Sequence, residues 1–226
     1  MGAPDPCAPD PGAPAGPAGA ALLELVAVMD RLRSPGGCPW DARQTHASLL
    51  RYLVEETYEV VDAVEGGDRD ELREELGDLL LQVVFHARVA AEAPDGFDID
   101  DVAAGIVAKL VRRHPHVFAG EAAAEDLQAR WDAIKATEKT RASVLDGVPL
   151  HLPALARADK VLGRLERAGL EEPAAPGAPG EAAVGRELLD LVRRARAAGV
   201  DPEAALRTTV RELEAGARAR EAATGG

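Results

Sequence analysis

Apolar residues return every three or four positions along most of the 226-residue chain. This interval matches the 3.6-residue period of an α-helix that buries one face. The pattern predicts helices over 21–33, 45–65, 69–93, 99–113, 124–140, 183–198 and 202–222, with one further short helix after residue 153. No stretch of any length alternates apolar and polar residues as a half-buried strand would. We therefore predict an all-α fold, a helical bundle.

Glycine residues mark a tight turn between the second and third predicted helices. Gly66 and Gly67 follow the first of these helices, and Asp68 is a typical N-cap residue for the next. A connection this short makes the flanking helices antiparallel neighbours. The bundle is therefore expected to be built around an antiparallel helix hairpin.

Segments rich in proline, glycine and alanine divide the chain. Residues 1–20 contain almost no large apolar groups, so we expect a disordered tail there. The other predicted parts are a main helical domain at 21–145, a connecting helix at 146–168, a Pro/Ala linker at 169–182 and a C-terminal helical segment at 183–226.

The composition argues against several classes of protein. A formal net charge of −13 would repel polyanions, so we expect no binding of nucleic acid or of a membrane surface. No apolar run has the length of a membrane span, and the N-terminus lacks the pattern of a signal peptide. The two cysteines do not have metal-site spacing, and a reducing compartment is the simplest interpretation. We expect a soluble, cytoplasmic protein.

Carboxylates on the predicted hairpin form the candidate chemistry. Glu56 and Glu59 are three residues apart on the first helix, and so project from one face. Glu75 and Asp78 have the same spacing on the second helix. The turn lies midway between the pairs, so the hairpin can bring all four side chains together. Four carboxylates would not all stay ionised without a cation, and oxygen ligands of this kind select Mg²⁺ or Mn²⁺.

A solvated helix face is the alternative interpretation, because buried acids are rare. Two details favour a site. Asp78 directly precedes the apolar run 79–85, where a solvated face would offer more polar positions. Gly77 stands in mid-helix, at a cost of about 1 kcal/mol relative to alanine, which suggests the close approach of another backbone or a ligand. On spacing alone, both interpretations stay open.

Several sequence blocks carry a family resemblance. The segments EETYE (55–59) and EELGDLLLQVVFHA (74–87) resemble the E-E-x-x-E and E-x-x-D signature of the MazG family of nucleoside triphosphate pyrophosphohydrolases. GGCPWDARQTHASL precedes them and KLVRRHPHVFAG follows them, in the family's order. The resemblance covers about residues 22–165. It implies an all-α enzyme that hydrolyses a nucleoside triphosphate to a nucleoside monophosphate and pyrophosphate, for sanitation or control of nucleotide pools.

The resemblance also implies roles for individual residues. It assigns the Mg²⁺ ligands to Glu56, Glu59, Glu75 and Asp78. Glu55 matches the first glutamate of the motif, where it would support the ligands or orient the attacking water.

Basic and aromatic candidates follow the carboxylates. Lys109 and Arg113 match the family's phosphate-contacting positions, and their i, i+4 spacing puts both on one helix face. The alternative is a solvated basic helix end stabilised by the helix dipole. Trp131 and Lys135 resemble a nucleotide-contacting segment. Trp131 is equally consistent with stacking on a base and with a place in the core.

The C-terminal half departs from the family pattern. Residues 199–221 resemble the end of a second family domain, but Ala183 and Arg186 stand where its carboxylates are expected. We therefore predict a degenerate remnant without a metal site, packed on the first domain or on a partner subunit. The resemblance implies a homodimer or higher homo-oligomer.

Two other functions compete with this hypothesis. A non-catalytic protein that binds nucleotides or regulates partners is the main alternative. A di-iron carboxylate protein would need Glu-x-x-His pairs, which neither helix supplies.

Overall fold

The structure of the protein is a computed structural model that describes residues 19–119, 143–170 and 180–224. The chain divides into two compact units, Met1–Leu127 and Gln128–Gly226. Within the described ranges every regular element is a helix and none is a strand. The predicted all-α class is thereby confirmed.

The N-terminal unit contains five described α-helices. They are α1 (Ala20–Arg33), α2 (His46–Gly66), α3 (Arg69–Ala90), α4 (Ile99–Arg113) and the single turn α5 (Pro115–Phe118), with a 3₁₀ turn at Asp41–Arg43. Helix α3 ends three residues earlier than the sequence pattern predicts. The backbone N–H groups of Glu92 and Ala93 bond to carbonyls three residues back, and Pro94 disfavours helical geometry just before it.

Capping residues fix both ends of the connection between α2 and α3. Helix α2 begins with a capping box in which Thr45 and Ser48 exchange hydrogen bonds. It ends at Gly66, and the C-cap residue Gly67 follows. The φ of Gly67 is 76°, in the left-handed region that glycine adopts without strain. The Asp68 side chain then accepts hydrogen bonds from the N–H groups of Asp70 and Glu71 and starts α3. The predicted turn and N-cap are therefore present.

Helices α1, α2 and α3 enclose the core of this unit. Met29, Leu49, Val84 and Phe85 are its buried members. Helices α2 and α3 pack against each other more extensively than any other pair of described elements. This packing holds the two carboxylate-bearing helices side by side.

A buried arginine joins α1 to α3. The Arg33 guanidinium makes two hydrogen bonds to the Glu92 carboxylate, at 2.8 and 2.9 Å. It also donates to the backbone carbonyls of Asp41 and Gln44, in the segment that leads into α2. Its charge lies 5.5 Å from the centre of the Phe85 ring, an arrangement typical of a cation–π contact. One side chain thus ties three elements together at the open end of the hairpin.

The C-terminal unit contains three described helices, α6 (Ala154–Ala168), α7 (Glu181–Ala197) and α8 (Pro202–Thr224). Val192 of α7 is buried, and the Arg196 guanidinium bonds to the Asp159 carboxylate at 2.6 Å and to the Glu166 carboxylate at 2.9 Å. Gly163 lies under this guanidinium, and a Cβ added there would approach it to 2.7 Å. The glycine therefore permits the close packing of α6 on α7.

Candidate metal centre

Three carboxylates from the two helices of the hairpin meet. Glu56 of α2 and Glu75 and Asp78 of α3 each offer an oxygen, and these oxygens lie within 4.8 Å of one another. Glu75 and Asp78 share a face of α3 because they are three residues apart. In the described part of the chain, this is the one group of three or more His, Cys, Asp or Glu side chains whose potential ligand atoms lie so close together. Its oxygens are compatible with a divalent cation.

The fourth predicted ligand lies beside this group. The side chain of Glu59, one turn after Glu56 on α2, is hydrogen-bonded to Glu56. Glu59 also repels the charge on Glu75. Glu55, the undecided fifth candidate, is exposed and does not belong to the converging group. The structure therefore brings four of the five acidic candidates together, and their roles as metal ligands stay a prediction.

Electrostatic repulsion within the cluster disfavours ionisation. Partial burial raises the pKa of Glu56 to about 7, aided by the hydrogen bond with Glu59 and by the negative charges of Asp78, Glu59 and Glu75. Partial burial and the charges of Glu59 and Asp78 also raise the pKa of Glu75. A bound cation would remove the repulsion that keeps these groups protonated. The donor set and its charge therefore fit a divalent metal ion.

Gly77 faces open space and lies between Glu75 and Asp78 on α3. A Cβ added at this residue would have no described atom within 4 Å. No neighbouring backbone in the described chain therefore explains the glycine, contrary to one of the two expectations from sequence. The approach of a ligand, which was the other, stays a prediction.

The predicted phosphate-binding residues lie on α4. Lys109 and Arg113 are half-buried, one turn apart on the same face. Helix α4 packs against α3, which carries Glu75 and Asp78. At its end, the Nδ1–H of His114 donates to the carbonyl of Leu110 at 2.7 Å.

The remaining two predicted site residues, Trp131 and Lys135, lie outside the described residues. Their assignment as nucleotide contacts stays a prediction.

The hairpin also carries a histidine pair that the sequence pattern did not reveal. The Nδ1 atoms of His46 and His86 are 2.8 Å apart, and the two rings are parallel within 4°. The available signal was their position, because the two residues lie at similar distances from the turn at Gly67. Paired residues in an antiparallel hairpin share this property, as Glu59 and Glu75 do.

An open cavity of about 250 Å³ lies elsewhere on this unit, between α1, α3 and the start of α4. Asp30 and Arg88, which form an ion pair at 2.8 Å, are among its lining residues. None of the predicted site residues lines it. The cavity is therefore separate from the carboxylate cluster.

A hairpin of this kind defines a class: an all-α protein whose candidate metal centre is assembled from carboxylates on two antiparallel helices. The family model described as "MazG nucleotide pyrophosphohydrolase domain" matches residues 44–118, which include the whole cluster. A Thermotoga maritima protein named "Nucleoside triphosphate pyrophosphohydrolase/pyrophosphatase MazG" is 38% identical over 87% of the chain and 84% of its own length. The chain belongs to the MazG family of nucleotide pyrophosphohydrolases.

Two further relatives show the extent of the similarity. A Mycolicibacterium smegmatis protein named "Nucleoside triphosphate pyrophosphohydrolase" is 49% identical over 87% of the chain. A Streptomyces cacaoi protein named "Uncharacterized 26.1 kDa protein in blaB 3'region" is 53% identical over 90% of the chain and 84% of its own length. The chain spans 60% of the mycobacterial relative, so the similarity does not extend over that whole protein.

No described helix combines the length and apolar character needed to cross a membrane.

Proposed function

We propose that the protein hydrolyses nucleoside triphosphates at the α-phosphorus in a Mg²⁺-dependent reaction. Water attacks the α-phosphorus, and the bond to the bridging oxygen breaks. The products are a nucleoside monophosphate and pyrophosphate. The observation that carries this proposal is the convergence of Glu56, Glu75 and Asp78 within 4.8 Å on a hairpin that matches the family model.

Four carboxylates would hold the metal, namely Glu56, Glu59, Glu75 and Asp78. When bound, Mg²⁺ (or Mn²⁺ in its place) supplies positive charge that neutralises phosphate oxygens and favours attack by water. The raised pKa values of Glu56 and Glu75 support this assignment, because partial burial and the neighbouring carboxylates both disfavour ionisation and a cation would offset them.

Other residues would bind and orient the substrate. Lys109 and Arg113 stabilise the negative charge that develops on the leaving pyrophosphate. Glu55, exposed next to the cluster in sequence, orients the attacking water. Trp131 stacks on the base and Lys135 contacts the nucleotide. The family resemblance supports all of these roles, and the shared face of Lys109 and Arg113 on α4 supports theirs independently.

A second copy of the chain would complete the site. Large apolar side chains are exposed on the helices around the hairpin, namely Leu50, Val54 and Tyr58 of α2 and Ile106, Val107 and Leu110 of α4. Exposed apolar side chains that recur one turn apart on a helix, as they do on α2, are typical of surfaces that a partner covers. We therefore propose a homodimer or higher homo-oligomer that acts on the cytoplasmic nucleotide pool, for sanitation or control.

Pyrophosphate release from a panel of nucleoside triphosphates tests the activity. The wild-type protein should release pyrophosphate with Mg²⁺ and lose this activity in EDTA. Glu59→Gln and Asp78→Asn should each reduce turnover by at least about 100-fold, the scale of a lost electrostatic contribution to the transition state. Circular dichroism would show that helicity is intact.

Glu74→Gln is the matched control, because Glu74 is an exposed neighbour of Glu75 outside the converging group. This variant should retain near wild-type turnover. Full turnover in Asp78→Asn would refute the metal assignment. A wild-type protein that binds triphosphates without releasing pyrophosphate would favour the non-catalytic alternative.

A further inference from the structure

The histidine pair His46–His86 joins the ends of α2 and α3 that are remote from the turn. His46 is the first residue of α2 and is exposed, whereas His86 is half-buried near the end of α3. With 2.8 Å between the two Nδ1 atoms, one nitrogen must carry a hydrogen and the other must accept it. The contact is therefore a hydrogen bond from one imidazole to the other.

Burial selects which histidine donates. The Nε2 atom of His86 is buried and has no hydrogen-bond partner among the described residues. Buried N–H groups without an acceptor are rarer in proteins than unfilled acceptors, which favours an unprotonated Nε2. We therefore assign the hydrogen of His86 to Nδ1, from which it donates to Nδ1 of His46. The Nε2–H of His46 is then left on the exposed ring.

The position of the pair relates it to the carboxylates. Glu56 and Asp78 lie eleven residues before and after Gly67, and His46 and His86 lie about twenty residues before and after it. At 1.5 Å per residue, the pair is about 12–15 Å along the hairpin from the cluster. Any sliding or splaying of α2 against α3 at this end would change the separation between the carboxylates of the two helices.

We propose that His46 and His86 are positioning residues whose hydrogen bond sets the register of α2 against α3, and that protonation of the pair releases this constraint on the metal-binding carboxylates. The inference rests on the proposed function, because the readout is metal binding at the cluster. It adds a role for two residues that lie outside the cluster itself.

Protonation breaks the bond for a geometric reason. A charged His46 carries hydrogens on both nitrogens, so its Nδ1–H would meet the Nδ1–H of His86. The alternative is to move the hydrogen of His86 to the buried Nε2, where the described part of the chain offers no acceptor. Both arrangements of the hydrogens are unfavourable. In agreement with this, burial lowers the pKa of His86, and the charge of His46 lowers it further. The bond is therefore favoured while both imidazoles are neutral and is lost as the pH falls and the pair gains a proton.

Other charges near this end are already engaged. Arg33 of α1 bonds to Glu92, which follows α3, and Arg88 of α3 bonds to Asp30 and Glu92. On α2, Arg51 bonds to the hydroxyl of Tyr52. At the start of α4, the carboxylates of Asp98 and Asp101 cap the helix, and Asp100 lies beside them. The effect of charge on the pKa of His86 comes from His46.

Mn²⁺ affinity, measured by electron paramagnetic resonance at pH 8 and pH 5.5, tests the positioning role. His86→Phe keeps a ring but removes the hydrogen bond, and should weaken Mn²⁺ binding at pH 8 by about 2- to 10-fold, the equivalent of one hydrogen bond. His86→Asn can donate or accept at the same place and does not titrate, so its affinity should stay within about twofold of wild type. His151→Phe, an exposed histidine of the other unit, is the control and should have no effect.

The carboxylates titrate in every variant, so a difference in pH dependence between the variants reports on the histidines. Between pH 8 and pH 5.5 the affinity of the wild type should fall more than that of His86→Asn. If His86→Phe does not fold, His46→Phe replaces it, because His46 is exposed. Nitrogen-15 NMR of the imidazoles should show the titration of His86 shifting towards its ordinary range in His46→Phe.

Three results would overturn the proposal. In the first, the Phe variants bind Mn²⁺ as tightly as wild type. In the second, His86→Asn is as weak as His86→Phe, which would indicate a purely steric role. In the third, a wild-type protein that binds no Mn²⁺ removes the proposed metal site, and the positioning role with it. The NMR titration then still reports separately whether the two imidazoles are bonded.

Discussion

Glu56 illustrates how a single carboxyl group can connect stability to metal binding. Its pKa of about 7 means that, without a cation, the folded protein holds a proton that the unfolded chain releases near pH 4.5. Ionisation of this group therefore disfavours the folded state. A glutamate at this position therefore lowers the stability of the metal-free protein. Such a loss of stability is typical of residues at functional sites.

The first prediction concerns the pH dependence of stability without metal. Because the folded pKa of Glu56 is raised, its contribution to the free energy of unfolding decreases as pH rises from about 4.5 to about 7. Glu56→Gln should remove this decrease and make the metal-free protein more stable than wild type at pH 8. Urea denaturation at pH 5 and pH 8 would measure both effects. Equal stability of the two proteins at pH 8 would contradict the raised pKa.

The second prediction concerns Mg²⁺ as a stabilising ligand. At about 100 times its dissociation constant, a ligand that binds only the folded state adds about 2.7 kcal/mol to the free energy of unfolding. We expect this gain at pH 8 and a smaller one at pH 5, where protons compete for Glu56 and Glu75. Asp78→Asn should lose most of the gain. Ca²⁺ or K⁺ in place of Mg²⁺ would show whether the effect is specific.

The third prediction concerns Gly77. Since a Cβ there meets open space, Gly77→Ala should raise the free energy of unfolding by about 0.5–1 kcal/mol. Gly105→Ala on α4, where the added Cβ is equally free, should give a similar gain. If substrate or a partner subunit approaches α3 at Gly77, activity falls in Gly77→Ala and is retained in Gly105→Ala. Equal activity in the two variants would leave Gly77 without a role at the site.

At the scale of elements, the helix ends were the features that the local sequence predicted most directly. Asp68 and Gly67 specify a turn through local chemistry, and both adopt the predicted roles. The end of α3 was less predictable, because Ala91, Glu92 and Ala93 are good helix formers on their own. The α-helix ends there because the N–H groups of Glu92 and Ala93 bond to carbonyls three residues back and because Pro94 follows them.

Arg33 shows what helical periodicity does not reveal. In the sequence it is one of two basic residues near the end of α1, with nothing to distinguish it from Arg31. Its burial depends on Glu92, 59 residues later, and on carbonyls exposed by an irregular segment. Contacts of this kind follow from tertiary structure, and so they cannot be predicted from local pattern.

The fourth prediction therefore concerns Arg33. Arg33→Met should lower the free energy of unfolding by about 2–3 kcal/mol, because it removes charge-assisted hydrogen bonds that join α1, α3 and the segment before α2. Arg73→Met is the control. Arg73 and its partner Asp70 are 80% and 85% exposed, so this change should stay within about 0.5 kcal/mol. Similar losses in the two variants would show that Arg33 does not join these elements.

At the scale of the whole molecule, the carboxylate site was predictable and its surroundings were not. The spacing of Glu56, Glu59, Glu75 and Asp78 about a short turn requires only antiparallel helices, and the structure provides them. The histidine pair needed the side-chain geometry at the far end of the hairpin. Helical periodicity also cannot distinguish a surface that another copy would cover from the core, because both place apolar residues on one face of a helix.

The fifth prediction concerns assembly. Analytical ultracentrifugation should give at least twice the 23.7 kDa chain mass. Val107→Glu should shift the protein towards monomer, because a charge would have to be buried at an apolar contact. Arg73→Glu adds the same side chain at an exposed polar position and should leave the mass unchanged. Because each chain carries a net charge of −13, moderate salt should strengthen the association. A wild-type monomer with full activity would contradict the proposal.

The short turn at Gly67 has a consequence for the order of folding. The carboxylates of the cluster all lie within the segment from Glu56 to Asp78, so these side chains meet through contacts that are local in sequence. Such contacts close small loops, and helical hairpins are therefore among the fastest structures to assemble. During synthesis, a chain that has emerged only as far as the end of α3 would already carry all four carboxylates. A divalent cation bound by this cluster, as we propose, would then stabilise the folded hairpin before the rest of the chain had been made.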